Sequence, residues 1–239
     1  MDFIVCEGPN DNIFLQQLFL KELECSKICS YDEVGKLQKI FRLGSDSYYQ
    51  RKYRWIIYRD NGRTTIQNQV IPRIIKDIHG RHQCFRKFIV LLDDDYIDHK
   101  VLVESIHSTI QEKTRDLKYI DIPIDSTRDC FRAISTKDAR YYISFIFIFI
   151  PKSLEKQIVT KAIEKYSNHF SPSKIKNLGD MDPHEALKDI ASKMGVQVND
   201  LISLSINEGW FSDEKWFTTI RDVISSQCDL NAVQEYCNR

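Results

Sequence analysis

Two short apolar runs, each followed at once by acidic residues, constrain the fold of this chain more than any other feature. The first run, at residues 3–6, leads into Glu7, and the second, at residues 88–92, leads into the aspartates at 93–95. Continuous apolar runs of this length are typical of buried strands in a parallel sheet. The carboxyl ends of such strands share one edge of the sheet, where ligands bind. The sequence therefore predicts an acidic site at that edge.

The order of the predicted elements indicates the fold class. Strand patterns alternate with helical stripes, one of which contains Pro72 and therefore predicts a kink or a later helix start. The predicted strands lie at 3–6, 54–58, 87–92, 119–124 and 141–150, and the predicted helices at 12–23, 66–78 and 101–110. Strands that alternate with helices form βαβ units. We expect an α/β fold with a mainly parallel sheet flanked by helices.

The pattern changes after Pro151, where only helical signals remain. One helix is predicted near Leu154, a second opens at Asp182 and Pro183 and closes at Gly195, and a third opens at Ser212. The apolar residues of the last helix, Trp216 and Phe217 among them, suit a core position or an oligomer contact. The predicted organisation is an α/β domain over 1–155 and a helical C-terminal region over 156–239.

Composition limits the partners and the cellular location that are expected for the protein. The 34 basic and 34 acidic side chains cancel, so net charge gives no support for a nucleic-acid partner. The most apolar stretch, residues 143–150, is too short to cross a membrane, and no membrane contact is expected. Seven scattered cysteines without paired C-x-x-C elements suit free thiols in a reducing compartment. With no basic region at the start, a cytoplasmic location is expected.

Convergent carboxylates repel one another unless a hard cation neutralises them, so a divalent metal is the economical explanation of the acids. The other interpretation is that the same acids cap helix N-termini, where carboxylates are stabilising. Asp94 is expected to be structural, because alternation turns it away from its neighbours. Asp98 is expected to cap a helix that starts near Lys100 rather than to bind an ion.

The acidic residues that follow the two apolar runs resemble the motifs of the Toprim domain. This domain is the metal-dependent catalytic fold of topoisomerases, bacterial primases and overcoming-lysogenization-defect (OLD) nucleases. The resemblance rests on Glu7 with Gly8, on Asp11, and on the D-x-D of Asp93 and Asp95. It covers about residues 1–155. The segment Pro-Lys-Ser-Leu-Glu at 151–155 is similar to the one that follows the last core strand in OLD-type nucleases and in Toprim-like proteins of uncharacterised function.

The resemblance implies roles for five acids. Glu7 takes a general acid/base or metal-binding role, and Asp93 with Asp95 holds Mg²⁺, for which Mn²⁺ can substitute. Asp11 supports the turn or a second metal, and Glu155 is a further ligand. The implied function is a magnesium-dependent, nuclease-like hydrolysis of phosphodiester bonds in DNA or RNA. Topoisomerase activity is not expected, because no glycine follows the D-x-D.

A segment that interleaves aromatic and basic residues is a candidate nucleic-acid contact. Residues 48–55 include Arg51, Lys52 and Arg54 and contain no acid. Aromatic stacking combined with phosphate neutralisation is how single strands are held. Lys87 is a further candidate contact to the scissile phosphate. The other interpretation of the segment is a half-buried strand with solvated arginines on its outer face.

Two other functions stay open at this stage. One is a Toprim-like module without turnover that binds nucleic acid or a protein assembly, or that forms a homo-oligomer. The other is a haloacid-dehalogenase-like phosphatase, a family that also ends a strand in D-x-D but places Thr or Val where this chain has Ile97. An ATPase is disfavoured, because the sequence has no phosphate-binding G-x-x-x-x-G-K-[ST] loop.

Overall fold

The fold was taken from a computed structural model, which describes residues 2–21, 28–31, 51–77, 87–115, 120–121, 130–135 and 142–225. The strands in these residues are β1 Asp2–Cys6, β2 Ile28–Tyr31, β3 Trp55–Arg59, β4 Lys87–Asp93, β5 Ile120–Asp121, β6 Cys130–Ser135 and β7 Tyr142–Ile150. They form a seven-stranded sheet in the order β2-β3-β1-β4-β7-β6-β5.

The sheet is mainly parallel, as predicted. The five strands β2, β3, β1, β4 and β7 run parallel to one another, and β6 and β5 add an antiparallel edge. Strand β2 was not predicted, because its four residues carry no clear apolar pattern. Of the strand predicted at 119–124, only residues 120–121 lie within the described residues.

Alternation along the central strands divides the core between the two faces of the sheet. Ile4, Ile89 and Ile146 are buried on one face, and Phe3 and Phe88 are buried on the other. Both faces are apolar because helices cover both, which is why the strands show continuous apolar runs. The stretch at 143–150 is buried and forms all of β7 except its first residue, as its β-branched and aromatic content predicted.

Helices cover the two faces unequally. The helices are α1 Pro9–Lys21, α2 Gly62–Thr65, α3 Ile71–Asp77, α4 His99–Thr114, α5 Leu154–Lys165, α6 Pro172–Asp180, α7 Pro183–Lys193, α8 Val198–Asn207 and α9 Lys215–Ser225. The face with Phe3 is covered by α3 and α4. The face with Ile4 is covered by α1 and by the helices that follow β7.

The helical stripe around Pro72 is interrupted, as its proline predicted. Residues Ile66–Val70 form a π-helical turn between α2 and α3. A proline inside an α-helix lacks the N–H that the helix needs, and its ring collides with the preceding turn. A wider turn just before Pro72 relieves that conflict. Ile66, Val70 and Ile74 are buried, so the apolar face of the helical segment stays in the core despite the π-helical turn.

The C-terminal helices belong to the same core as the sheet. Helix α7 begins and ends as predicted, with Asp182 as its N-cap and Gly195, at a φ of +70°, just past its end. Helices α6 and α8 were not predicted. The boundary placed at residue 155 falls inside α5, whose buried side chains pack in one cluster with α1. Among the described helices, none combines the length and apolar character that a membrane span requires.

Candidate functional site

The topology creates a crevice at the carboxyl ends of β1 and β4. From the central strand β1, the chain builds β2 and β3 on one side and β4 and β7 on the other. Such a reversal of strand order leaves an open crevice where ligands bind in α/β proteins. Glu7 directly follows β1, and Asp93 is the last residue of β4. The two acids therefore meet at this crevice, as the sequence predicted.

Glu7 connects the two strand ends through hydrogen bonds. Its Oε1 accepts a bond from the backbone N–H of Asp93 at 3.1 Å, and its Oε2 accepts one from the N–H of Arg63 at 3.0 Å. Burial raises the pKa of Glu7, although both backbone bonds and the nearby Arg63 guanidinium oppose that effect. Glu7 is thus fixed in place, and its affinity for a proton is increased.

Asp11 lies in the first turn of α1 and is buried. Its Oδ2 accepts a hydrogen bond from the backbone N–H of Gly8 at 2.9 Å. Desolvation, followed by the charge of Glu155, raises the pKa of Asp11 to about 8. A carboxyl group with this pKa holds a proton over much of the neutral range unless a cation replaces that proton.

Asp93 is repelled by three neighbouring carboxylates. Desolvation, followed by the charges of Asp11, Glu7 and Glu155 in that order, raises its pKa to about 9. Its Oδ1 accepts a hydrogen bond from the N–H of Leu154 at the start of α5 at 3.2 Å. These four acids form what we call the acidic cluster: Glu7, Asp11, Asp93 and Glu155.

Glu155 contacts two residues, Asn10 and His184, that the sequence did not predict at this site. Its Oε1 lies 2.7 Å from the Asn10 amide nitrogen and 3.2 Å from Nδ1 of His184. His184 is at the start of α7, next to the predicted cap Asp182. The helix start was visible in the sequence, but its position beside the cluster depends on how the C-terminal helices pack. Asn10 follows the Glu-Gly-Pro turn, which was the only local signal for it.

The structure corrects the prediction for Asp95. Strand β4 ends at Asp93, and the next residues turn, with the N–H of Ile97 donating to the carbonyl of Asp94 at 2.8 Å. The strand alternation that was to bring Asp93 and Asp95 to one ion therefore stops too early. The Asp95 side chain is 55% exposed and lies 3.4 Å from the Arg63 guanidinium. Asp95 is a residue of the crevice rim, outside the acidic cluster.

The two neighbouring aspartates have the structural roles that were predicted. Asp94 accepts hydrogen bonds through Oδ1 from the N–H groups of Tyr96 and Lys152, at 2.9 and 2.7 Å. Its other oxygen lies 3.3 Å from Nε2 of His99. Asp98 is the N-cap of α4 and accepts bonds from the N–H groups of Lys100 and Val101.

The basic residues that were predicted to contact nucleic acid lie at the opposite edge of the sheet. Arg51, Lys52 and Arg54 are exposed, but they precede β3 and so belong to the amino ends of the strands. Lys87 begins β4, six residues and roughly 20 Å of strand before Asp93. Lys87 is also 2% exposed and donates to the carbonyl of Val223 in α9 at 2.8 Å. The expectation that Lys87 contacts a phosphate is wrong, and the other three residues do not reach the cluster.

Helix capping explains part of the cluster. Glu7 and Asp93 do accept bonds from the first N–H groups of α2 and α5, as the capping interpretation predicts. Capping requires neither the convergence of four acids, two of them buried, nor their mutual repulsion. An all-carboxylate donor set is the kind that Mg²⁺ and Mn²⁺ prefer. The described residues, however, contain no group of three or more His, Cys, Asp or Glu arranged so that it could hold a metal ion.

Comparisons with known proteins establish the fold alone. No protein-family model matches the chain, and no curated protein matches it significantly. The chain is similar to the crystal structure of hypothetical protein PH0156 from Pyrococcus horikoshii OT3, with a TM-score of 0.60 and 12% sequence identity. The match covers 94% of this chain and 99% of that one, so the likeness extends over the helical C-terminal region as well as the sheet.

Proposed function

We propose that the protein is a Toprim-type, magnesium-dependent phosphodiester hydrolase that acts on DNA or RNA in the manner of a nuclease. The observation that carries this proposal is the acidic cluster itself. Four carboxylates, from the end of β1, from α1, from the end of β4 and from α5, come together in the crevice where α/β folds bind ligands, and two of them, Asp11 and Glu155, are buried. Burying several like charges is unfavourable and suggests a function that requires them.

The cluster residues divide into a binding group and a proton-handling group. Asp93, Asp11 and Glu155 are the carboxylates that would hold Mg²⁺ or Mn²⁺, and they would have to turn toward a shared ion to do so, because they are not arranged around one. A bound ion would polarise the phosphate and activate a water molecule for attack. Glu7 keeps the two strand ends together, and burial raises its pKa, which is the direction that a carboxyl group acting as a general acid or base requires. Arg63 places a guanidinium at the rim, where it faces an incoming phosphate.

Two measurements on the same samples test the proposal. Calorimetry would follow Mg²⁺ and Mn²⁺ binding to the wild type and to Asp93→Asn, while cleavage of single- and double-stranded DNA and RNA is assayed in parallel. Saturable binding and metal-dependent cleavage are expected in the wild type, and both should be lost in Asp93→Asn, because the variant lacks the central carboxylate.

Asp95→Asn is the matched control for this experiment. Asp95 is two residues from Asp93 but lies outside the cluster, so its amide variant should keep metal binding within about threefold. Equal losses in the two variants would contradict the assignment of the cluster. Wild-type protein that neither binds the metals nor cleaves any strand would refute the proposal as a whole.

The second candidate function is a Toprim-like module that binds nucleic acid or a protein assembly without turnover. The observation that favours it is the arrangement of the cluster, in which both oxygens of Glu7 are occupied by backbone N–H groups. Metal binding would require the carboxylates to turn toward a shared ion. Nucleic-acid binding by the wild type without cleavage, under every metal condition, is the outcome that selects this candidate.

The haloacid-dehalogenase alternative gains no support from the geometry. That interpretation needs both acids of the D-x-D in one site, whereas Asp95 pairs with Arg63 at the rim.

A further inference from the structure

A strongly exposed tyrosine lies in the turn that follows the end of β4. Tyr96 is 76% exposed and lies three residues after Asp93. Ile97 and Val101, which follow it within five residues, are also exposed, at 37% and 55%. Single exposed apolar residues need no explanation. A group of them beside a candidate catalytic cluster indicates a contact surface.

The backbone at Tyr96 adopts a conformation that residues with a side chain disfavour. Asp95, Tyr96 and Lys152 have φ angles of +48°, +65° and +67°, in the left-handed region that residues with a side chain avoid. Strain of this kind persists only where surrounding structure imposes it, and it concentrates at functional sites.

Hydrogen bonds hold the backbone in this strained conformation. The carboxylate of Asp94 accepts bonds from the N–H groups of Tyr96 and Lys152, at 2.9 and 2.7 Å. The N–H of Asp95 donates to the carbonyl of Lys152 at 3.1 Å. The turn after β4, which carries Tyr96, is thereby fastened to the segment after β7.

One cation contacts the ring. The Nζ of Lys152 lies 5.4 Å from the centre of the Tyr96 ring, within the range of a cation–π contact. A second cation, Arg63, lies 3.4 Å from the carboxylate of Asp95, the residue before Tyr96. An exposed ring with a cation beside it is the combination that proteins use to stack a base and neutralise the adjoining phosphate.

We infer that Tyr96 stacks on an unpaired nucleobase of a single strand while the adjoining phosphate lies at the acidic cluster. The inference rests on the proposed function and names its substrate class. A base inside a duplex is covered on both faces by its neighbours, so its face is not accessible to the ring. Tyr96 therefore selects single strands and unpaired ends.

Binding measured without turnover tests this inference. The parent protein for the test is Asp93→Asn, in which cleavage is expected to be absent and repulsion of phosphate reduced. Fluorescence anisotropy would compare the parent with versions that also carry Tyr96→Ala or Tyr96→Phe. The probes are a short single-stranded DNA, the RNA of the same sequence, an abasic strand of equal length, and the DNA duplex.

The expected result depends on the presence of bases. Tyr96→Ala should weaken binding of the DNA or RNA single strand by about 5- to 100-fold, because one stacked base is lost. Tyr96→Phe, which keeps the ring, should bind within about twofold of the parent. The abasic strand and the duplex should bind equally to all three proteins. Leu20→Ala, an exposed apolar change near the far end of α1, should have no effect.

Three results would overturn the inference. They are unchanged affinity of Tyr96→Ala for both single strands, an equal loss for the abasic strand, and failure of the parent to bind either strand. Cleavage by the wild-type protein with Mg²⁺ is assayed separately. Absence of cleavage alongside the base-dependent loss would refute the hydrolase proposal and leave the stacking assignment intact.

Discussion

At the scale of single residues, the environment of each acid decides its role. Asp93 and Asp95 are two positions apart and chemically identical. The first is partly buried and close to three other carboxylates, whereas the second is exposed and paired with Arg63. Desolvation and like charge raise the pKa of Asp93. The same residue type therefore gives a candidate ligand in one position and a rim contact in the other.

The raised pKa values predict how stability changes with pH in the metal-free protein. The pKa values of Asp93 and Asp11 rise from 3.8 to about 9 and about 8 on folding. The folded state therefore binds more protons than the unfolded state above about pH 4. The free energy of unfolding should then fall as pH rises from about 4 to about 9.

Urea unfolding at pH 5, 7 and 9 in the presence of a chelator measures this dependence. Asp93→Asn should be more stable than the wild type by about 1–3 kcal/mol at pH 7 and should show a flatter pH profile. Its Oδ1 can still accept the bond from Leu154, so the change removes the titrating group and keeps the contact. Asp95→Asn should follow the wild type. A wild-type stability that rises between pH 5 and pH 9 would show that the cluster is not strained by charge.

At the scale of elements, helix starts account for several of the acids near the crevice. Asp98 begins α4 and Asp182 begins α7, and each accepts two backbone N–H bonds. Neither belongs to the acidic cluster. Helix N-termini favour carboxylates whether or not a ligand is present, so acid-rich sequence alone cannot separate caps from ligands.

Substitution of Asp98 separates these two roles. Asp98→Ala should lower the free energy of unfolding by about 0.5–2 kcal/mol, because α4 loses its cap. Asp98→Asn, which retains an accepting oxygen, should stay within about 0.5 kcal/mol of the wild type. Urea unfolding supplies both numbers. Calorimetry on the same proteins should show unchanged Mg²⁺ affinity, and a loss of binding in Asp98→Asn would place Asp98 in the site.

At the scale of the whole molecule, the helices after β7 complete the core and the site together. The ring of Phe14 in α1 contacts Phe211, Trp216 and Phe217, with centroid separations of 5.8–6.1 Å. His184 of α7 reaches Glu155 in the crevice. A buried lysine, Lys87, connects the start of β4 to Val223 in α9. The sheet and the C-terminal helices are therefore expected to unfold as one unit.

Tryptophan fluorescence tests this cooperativity. Of the three tryptophans, Trp55 lies in β3, whereas Trp210 and Trp216 lie in the C-terminal helical region. Unfolding followed through Trp55 alone, in a variant with phenylalanine at the other two positions, should match unfolding followed in Trp55→Phe. Phe14→Ala should lower both transitions by about 3–5 kcal/mol, since it removes a fully buried ring.

Leu20→Ala on the same helix is the control, because Leu20 is 50% exposed and its loss should change stability by less than about 0.5 kcal/mol. If the two probes report separate transitions, or if Phe14→Ala affects only one of them, the division at residue 155 marks two independent units.

The amino-acid sequence by itself determined the α/β class, the strands that carry Glu7 and Asp93, and the capped starts of α4 and α7. These features depend on local periodicity and capping chemistry, which a sequence displays directly. Helix α8 was missed because its start lacks the Ser, Thr, Asp or Asn that signals a cap, with Gln197 in that position instead.

Only the tertiary structure decided which acids share the site. It ended β4 at Asp93 and so removed Asp95, and it brought Asp11, Glu155 and His184 to the crevice from three helices. It also placed Lys87 in the core and Arg51, Lys52 and Arg54 at the opposite edge. Such placements depend on strand order and on helix packing between residues far apart in the chain, and no local pattern encodes those distances.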